Sequence, residues 1–179
     1  GVANGHSIAS WHHYFKNSLI YGLDNKSKDK FFYKSKRVQY FQIDIFDKKK
    51  IKKFINDHGP FDFIIDDSMN TRNAMITNLK NFFPSLKSGG IFFLEDVAFF
   101  TLTRKAFKDI ETYNKKKGYE YFLDNRDMQE MFSDIMNDNY SPDEHLAKFE
   151  LDYFRENILK IETPKYEHPH AGMMIFFKK

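Results

Sequence analysis

FDFIIDDSMN, residues 61–70, decides how the chain is read. Phe61, Phe63, Ile64 and Ile65 make a short apolar run, the pattern of a strand buried on both faces of a parallel sheet. The run ends in two adjacent carboxylates, Asp66 and Asp67, where a strand would pass into a loop. Outward from it lie three runs of the same character: LIYGLD (19–24), VQYFQID (38–44) and GIFFLED (90–96). Each of these also ends in an acid.

Amphipathic stretches separate the runs. Ser7 to Phe15 places Ile8, Trp11 and Phe15 at helical spacing. Lys48 to Asp57 places Ile51, Phe54 and Ile55 on one face and is stopped by His58-Gly59-Pro60. The KKKIKK run inside it (Lys48–Lys53) reads as a solvated helix face. Thr71 can cap a helix through Phe83, with Met75, Ile76, Leu79 and Phe82 on one side; Pro84 and Gly89-Gly90 end it. Strand and helix in alternation predict an α/β, Rossmann-like doubly wound and mostly parallel sheet. The last two runs, ILKIETP (158–164) and AGMMIFFKK (171–179), predict an antiparallel pair of strands. The whole chain, 1–179, is expected to form one domain.

Residues 101–157 read differently: polar, aromatic and mostly helical, an excursion expected over the active face. Within it NRDMQEMFSDIMND (125–138) has apolar residues at helical spacing. SPDEHLAKFELDYF (141–154) predicts a helix capped by Ser141, with Pro142 at its first position.

Composition removes several function classes. The 28 basic and 25 acidic residues give a net charge of +3, well mixed along the chain. Without a basic stripe or an N-P-P-Y-like motif, no nucleic-acid partner is expected. The 21 Phe and 10 Tyr supply core material. No apolar run approaches the roughly 20 residues that cross a bilayer, so no membrane partner is expected. The chain has no cysteine, which rules out disulfides and thiolate sites and fits a cytoplasmic location. Self-association into a homo-oligomer stays open.

In doubly wound sheets, ligands bind at the carboxyl ends of the strands, and that is where every acid noted above falls. GVANGHS (1–7) sets Gly1 and Gly5 before a helix start, where backbone can approach a ligand closely. It lacks the third glycine of the dinucleotide pattern, which argues against a nicotinamide enzyme. Asp24 ends the next strand, a position from which an acid accepts hydrogen bonds from ribose hydroxyls. Asp44 ends the third, within reach of an adenine edge. Each also reads as a turn-forming Asp; together they favour a nucleoside ligand. Asp66, Asp67, Glu95 and Asp96 form a second group, brought together if their strands are neighbours. Converging carboxylates raise one another's pKa unless a cation sits between them, and all-oxygen ligation suits Mg²⁺ or a similar hard divalent ion. Alternation along the strand points Asp66 away from Asp67, toward a structural role.

The order G-x-x-x-G, acid after the second strand, FDFIIDDSMN, then PSLKSGGIFFLEDV resembles class I S-adenosylmethionine-dependent methyltransferases. Within them it is most similar to the metal-dependent macrolide sugar O-methyltransferases of the mycinamicin and macrocin type, over roughly residues 1–100. That group carries I-D-D-G-S-H followed by G-G-L-x-x-I-E-D. The resemblance implies Mg²⁺ on Asp67, Glu95 and Asp96, and S-adenosylmethionine against Gly1, Gly5, Asp24 and Asp44. It also implies a small hydroxylated substrate, a sugar or other metabolite. Two departures matter. The family's first strand, which lies mid-sheet, has no counterpart here, so the chain is expected to be a piece of a longer protein. The family's proposed base, a His, is replaced by Asn70, which cannot take a proton near neutral pH.

Loss of general-base help typically costs about 10² to 10⁴ in rate, leaving a slow metal-driven enzyme. His168 or His170 in YEHPHAG could instead serve as base from between the last two strands, although both also read as solvated turn histidines. His12 and His13 are expected on the first helix, one packed and one exposed. The alternative to an enzyme is a degenerate methyltransferase-fold module that binds the cofactor or a partner without efficient catalysis.

Overall fold

A computed structural model describes residues 1–27, 29, 31, 33–69, 72–97, 128–143, 145–164 and 172–179. In chain order the elements are α1 (His6–Tyr14), β1 (Ile20–Asp24), β2 (Val38–Gln42), α2 (Lys48–His58), β3 (Phe61–Asp66) and α3 (Arg72–Phe82). After a 3-10 turn (Phe83–Ser85) come β4 (Leu86–Glu95), α4 (Met128–Met136), α5 (Lys148–Asn157), β5 (Ile158–Glu162) and β6 (Met173–Lys178).

The α/β architecture expected from the alternation is present. β1 and β2 pair in parallel, as do β3 and β4. β6 runs antiparallel to both β4 and β5, which confirms the terminal pair. The second sheet has the order β3-β4-β6-β5, and among the described residues β1 and β3 are not paired. The parallel strands therefore form two sheets rather than one. Between them lies a lane bridged by rings: Tyr21 meets Phe54 and Phe61 at 5.9 and 6.2 Å, while Phe15 stacks on Phe63 at 5.7 Å. Phe63 remains 50% exposed, unusual for so apolar a strand.

The main core is continuous from α2 to β6. Phe83, Phe92, Phe132, Phe154 and Phe176 are fully buried within it, and the Phe132 and Phe176 rings meet edge to face at 4.9 Å. Such aromatic pairs add about 0.5–1.5 kcal/mol beyond the area they bury. α2 buries Ile51 and Phe54 and leaves most of its lysines in water, as its periodicity predicts. A smaller cluster of Val2, Ile8 and Phe31 seats α1 on β1 and β2. Arg37 fixes the end of that helix, donating to the carbonyls of His12, Phe15 and Ser18 at 2.8–3.0 Å. These bonds satisfy carbonyls left open at a helix C-terminus. His12 is half-buried between Tyr33 and Ser35, and His13 is exposed.

One predicted helix begins later than its cap signal suggests. α5 starts at Lys148, not after Ser141. The Asp143 carboxylate accepts from the backbone N–H groups of His145 and Leu146 at 2.8 and 2.9 Å and from the Tyr140 hydroxyl. This closed turn takes the donors that a first helical turn would need. Glu150 then accepts from the Ala147 N–H at 2.8 Å and starts the helix there. α4 and α5 both pack into the main core through Met131, Phe132, Ile135, Leu151 and Phe154. Of the expected excursion, 101–127 and 144 lie outside the described residues.

Candidate active site

The register of β3 on β4 sets Asp66 opposite Leu94, so Asp67, just past β3, and Glu95, the last residue of β4, come side by side at the carboxyl edge. Asp96 follows in a left-handed conformation, φ 56°. A non-glycine residue in that region carries strain, and such positions gather at functional sites. Glu95 shows the crowding that the sequence predicts. Burial pushes its carboxyl pKa up first, and the charges of Asp67 and Asp96 push it further. Among the described residues, however, no three His, Cys, Asp or Glu side chains are arranged to ligate one ion. Asp67, Glu95 and Asp96 are thus neighbours that repel, held short of ligating geometry. The chemistry of the set, three carboxylates of which Asp67 and Asp96 disfavour the charge on Glu95, fits a hard divalent cation.

The Gly1–Gly5 loop meets these acids from the other sheet. Gly1 stands beside Asp24, where a Cβ on it would lie 3.7 Å from the Asp24 Oδ2. A Cβ on Gly1 would come within 2.7 Å of the Asp67 carbonyl oxygen, so the loop and the end of β3 touch directly. Gly5 has φ 87°, and a Cβ there would meet Phe31 at 2.8 Å. Both glycines are therefore explained by close approach of protein to protein.

Asp24 ends β1 and ties the loop down. Its Oδ2 accepts from the N–H groups of Val2 and Ala3 at 2.8 and 3.1 Å, and its Oδ1 from Lys26 at 3.0 Å. Burial works to raise its pKa, but these three donors outweigh it and hold the carboxyl below its ordinary value. Asp44 stands beyond the end of β2, exposed, with Oδ1 accepting from the Phe46 N–H at 2.9 Å. The structure thus gives each acid a local turn or loop partner as well as a place at the carboxyl edge.

Asp66 is buried at 7% exposure while Asp67 is exposed, the difference that alternation along the strand predicts. Burial raises its pKa, while hydrogen bonds from Ser68 and Asn78 act the other way. Sequence reasoning missed Asn78, although a signal was there. It sits three residues after Met75 and four before Phe82, on the apolar face of α3, where a polar side chain needs a buried partner. Asn70, His168 and His170, named from the sequence as candidates around proton transfer, lie outside the described residues.

Comparison with solved structures finds this fold elsewhere. The chain superposes on MycE methyltransferase from the mycinamycin biosynthetic pathway, solved with Mg, SAH and mycinamycin VI, with TM-score 0.64 at 21% identity. The match covers 97% of this chain and 40% of that one. The fold is the MycE fold. A second crystal form of MycE, with Mg and SAH, gives TM-score 0.65 at 22% identity over the same shares of the two chains. In sequence, 96 residues are 30% identical to 8-demethyl-8-alpha-L-rhamnosyl tetracenomycin-C 2'-O-methyltransferase of Streptomyces olivaceus, covering 54% of this chain and 25% of that protein. Demethylmacrocin O-methyltransferase of Streptomyces fradiae is 32% identical over 93 residues, 52% of this chain and 23% of its own length. Mycinamicin VI 2''-O-methyltransferase of Micromonospora griseorubida is 31% identical over the same shares. No family model matches the chain. The aligned part spans about a quarter of the length of these curated relatives. The resemblance to macrolide sugar O-methyltransferases read from the motifs is thus borne out by both comparisons.

Proposed function

We propose that the protein is an S-adenosylmethionine-dependent O-methyltransferase, assisted by a divalent cation and acting on a hydroxyl of a sugar or other small metabolite. The observation that carries this reading is the meeting of the Gly1–Gly5 loop with Asp24 and Asp67 at the carboxyl ends of β1 and β3, with Glu95 beside them at the end of β4. The relatives named above are O-methyltransferases, and MycE was solved with Mg and SAH, which supports the same ligands here.

In the reaction, the acceptor oxygen attacks the sulfonium methyl carbon in line, the carbon–sulfur bond breaks, and the hydroxyl proton leaves to a base or to solvent. On this reading Asp24 would face the ribose of the cofactor, Asp44 its adenine, and the Gly1–Gly5 loop its methionine part. Asp67, Glu95 and Asp96 would hold the cation. A bound divalent ion lowers the pKa of a coordinated hydroxyl and orients it. Asn70 can orient an acceptor hydroxyl by hydrogen bonding but cannot accept its proton; His168 and His170 are the candidate replacements. Radiolabelled methyl transfer from S-adenosylmethionine to a glycosylated acceptor, with and without EDTA, tests the reading. Transfer that EDTA leaves untouched removes the cation from it; no transfer to any hydroxylated acceptor favours the second reading.

That second reading, a cofactor-binding module without efficient catalysis, is favoured by one specific feature, Asn70 in place of the family His. We also read the open lane between β1 and β3 as the place of a further parallel strand. Their facing edges, unpaired among the described residues, and the half-exposed Phe63 support it. A longer form of the protein carrying that strand is expected to melt higher than residues 1–179 alone, and equal melting temperatures would refute it.

A further inference from the structure

We infer that Asn78 positions the Asp67 carboxylate for its cation, acting through Asp66 and Ser68. The inference rests on the divalent-cation reading above and assigns a role to a residue outside the carboxylate set. The Asn78 side-chain nitrogen lies 2.9 Å from Asp66 Oδ1, 2.9 Å from Asp66 Oδ2 and 2.9 Å from Ser68 Oγ. Two N–H bonds thus serve three acceptors, one of them shared. Facing a carboxylate, the amide must present its nitrogen, which fixes its orientation. Asn78 is 3% exposed on a helix that packs into the core, so it offers a rigid reference point. Its own Oδ1 finds no partner among the described residues, a cost an apolar side chain would avoid.

Ser68 closes the ring. Its side chain and its backbone N–H both bond to Asp66, so the residues on either side of Asp67 are tied to each other and to α3. The Asp67 carbonyl is in turn pressed against Gly1. With the residues on either side tied in this way, the Asp67 backbone is fixed beside Glu95, whose pKa the Asp67 charge raises. An unpaired arrangement of the same loop would leave the carboxylate free to swing clear of Glu95. Partners that orient metal ligands in this manner typically alter metal affinity by about 10- to 100-fold.

Mn²⁺ serves as the probe, with free ion counted by electron paramagnetic resonance, on the protein at its natural length. Asn78→Ala is expected to weaken Mn²⁺ binding about 10- to 100-fold, with S-adenosylhomocysteine affinity unchanged. In an Asp66→Asn background, Asn78→Ala is expected to add no further loss, since Asn78 acts through Asp66. Should Asn78→Ala not fold, Ser68→Ala cuts the same tie at a half-buried position and is expected to weaken Mn²⁺ in the same direction. Wild-type Mn²⁺ affinity in Asn78→Ala or Ser68→Ala would overturn the positioning role and leave the cation site standing. Equal weakening of Mn²⁺ and S-adenosylhomocysteine would make Asn78 merely structural. A wild-type protein that takes up no Mn²⁺ would overturn the cation reading and this inference with it.

Discussion

Glu95→Gln should separate stability from metal binding. Glu95 sits half-buried, with its charged form disfavoured by burial and then by Asp67 and Asp96. Glutamine keeps the shape and removes the charge. Exposed like-charge pairs cost about 0.2–1 kcal/mol each, the same scale as exposed ion pairs, and Glu95 faces two such neighbours. Solvent screening keeps the sum near 0.5–2 kcal/mol. A domain of this size shifts by about 2–4 °C per kcal/mol. The metal-free variant should therefore melt about 1–8 °C above the metal-free wild type. Mg²⁺ reverses the order. At 100 times its dissociation constant, a ligand that binds only the folded state stabilises by about 2.7 kcal/mol. The wild type should then gain about 5–10 °C, and Glu95→Gln much less. Thermal melts followed by circular dichroism, with EDTA or with a Mg²⁺ series, give both numbers. If Glu95→Gln melts below the wild type in EDTA, or if Mg²⁺ raises both proteins equally, the crowded-carboxylate account is wrong.

Three other outcomes are expected. Asp24→Ala strips the acceptor from three loop N–H groups and should cost about 1–3 kcal/mol near neutral pH. Because the folded carboxyl is held below its ordinary value, its contribution is full above that value and fades as pH falls through the folded pKa, so wild type and variant should converge in acid melts. Phe176→Ala removes a fully buried ring packed on Phe92 and Phe132; urea unfolding should show a loss of about 3–5 kcal/mol. Asn70→His should raise turnover on a sugar acceptor if a missing base limits the rate; unchanged turnover would favour the binding module.

Much of the architecture is legible in periodicity. The runs at 19–24, 38–44 and 61–67 became β1, β2 and β3 with their ends moved by one or two residues, because a short run of apolar residues has few other ways to be buried. β4 begins earlier than predicted, at Leu86, since Phe61 pairs with it across a register shift. The start of α5 was not legible, because Ser141-Pro142 carries a sound cap signal that the Asp143 turn overrides. The split between the two sheets was not legible either, since pairing partners far apart in sequence leave no local mark. At the site, the carboxylates could be found because acids after apolar runs are conspicuous. Asn78 could not be assigned its partners without the register of α3 against β3. The roles of Asp24, Asp44, Gly1 and Gly5 toward a cofactor rest on resemblance, and what the structure adds is their bonds and contacts to the protein itself.

Calorimetric titration of S-adenosylhomocysteine, with and without Mg²⁺, into the protein at its natural length tests the central claim most directly. The account predicts saturable one-to-one binding, lost when Asp24 is changed to Ala, with a separate Mg²⁺ heat that disappears in Asp67→Ala. No S-adenosylhomocysteine binding in either condition would contradict it.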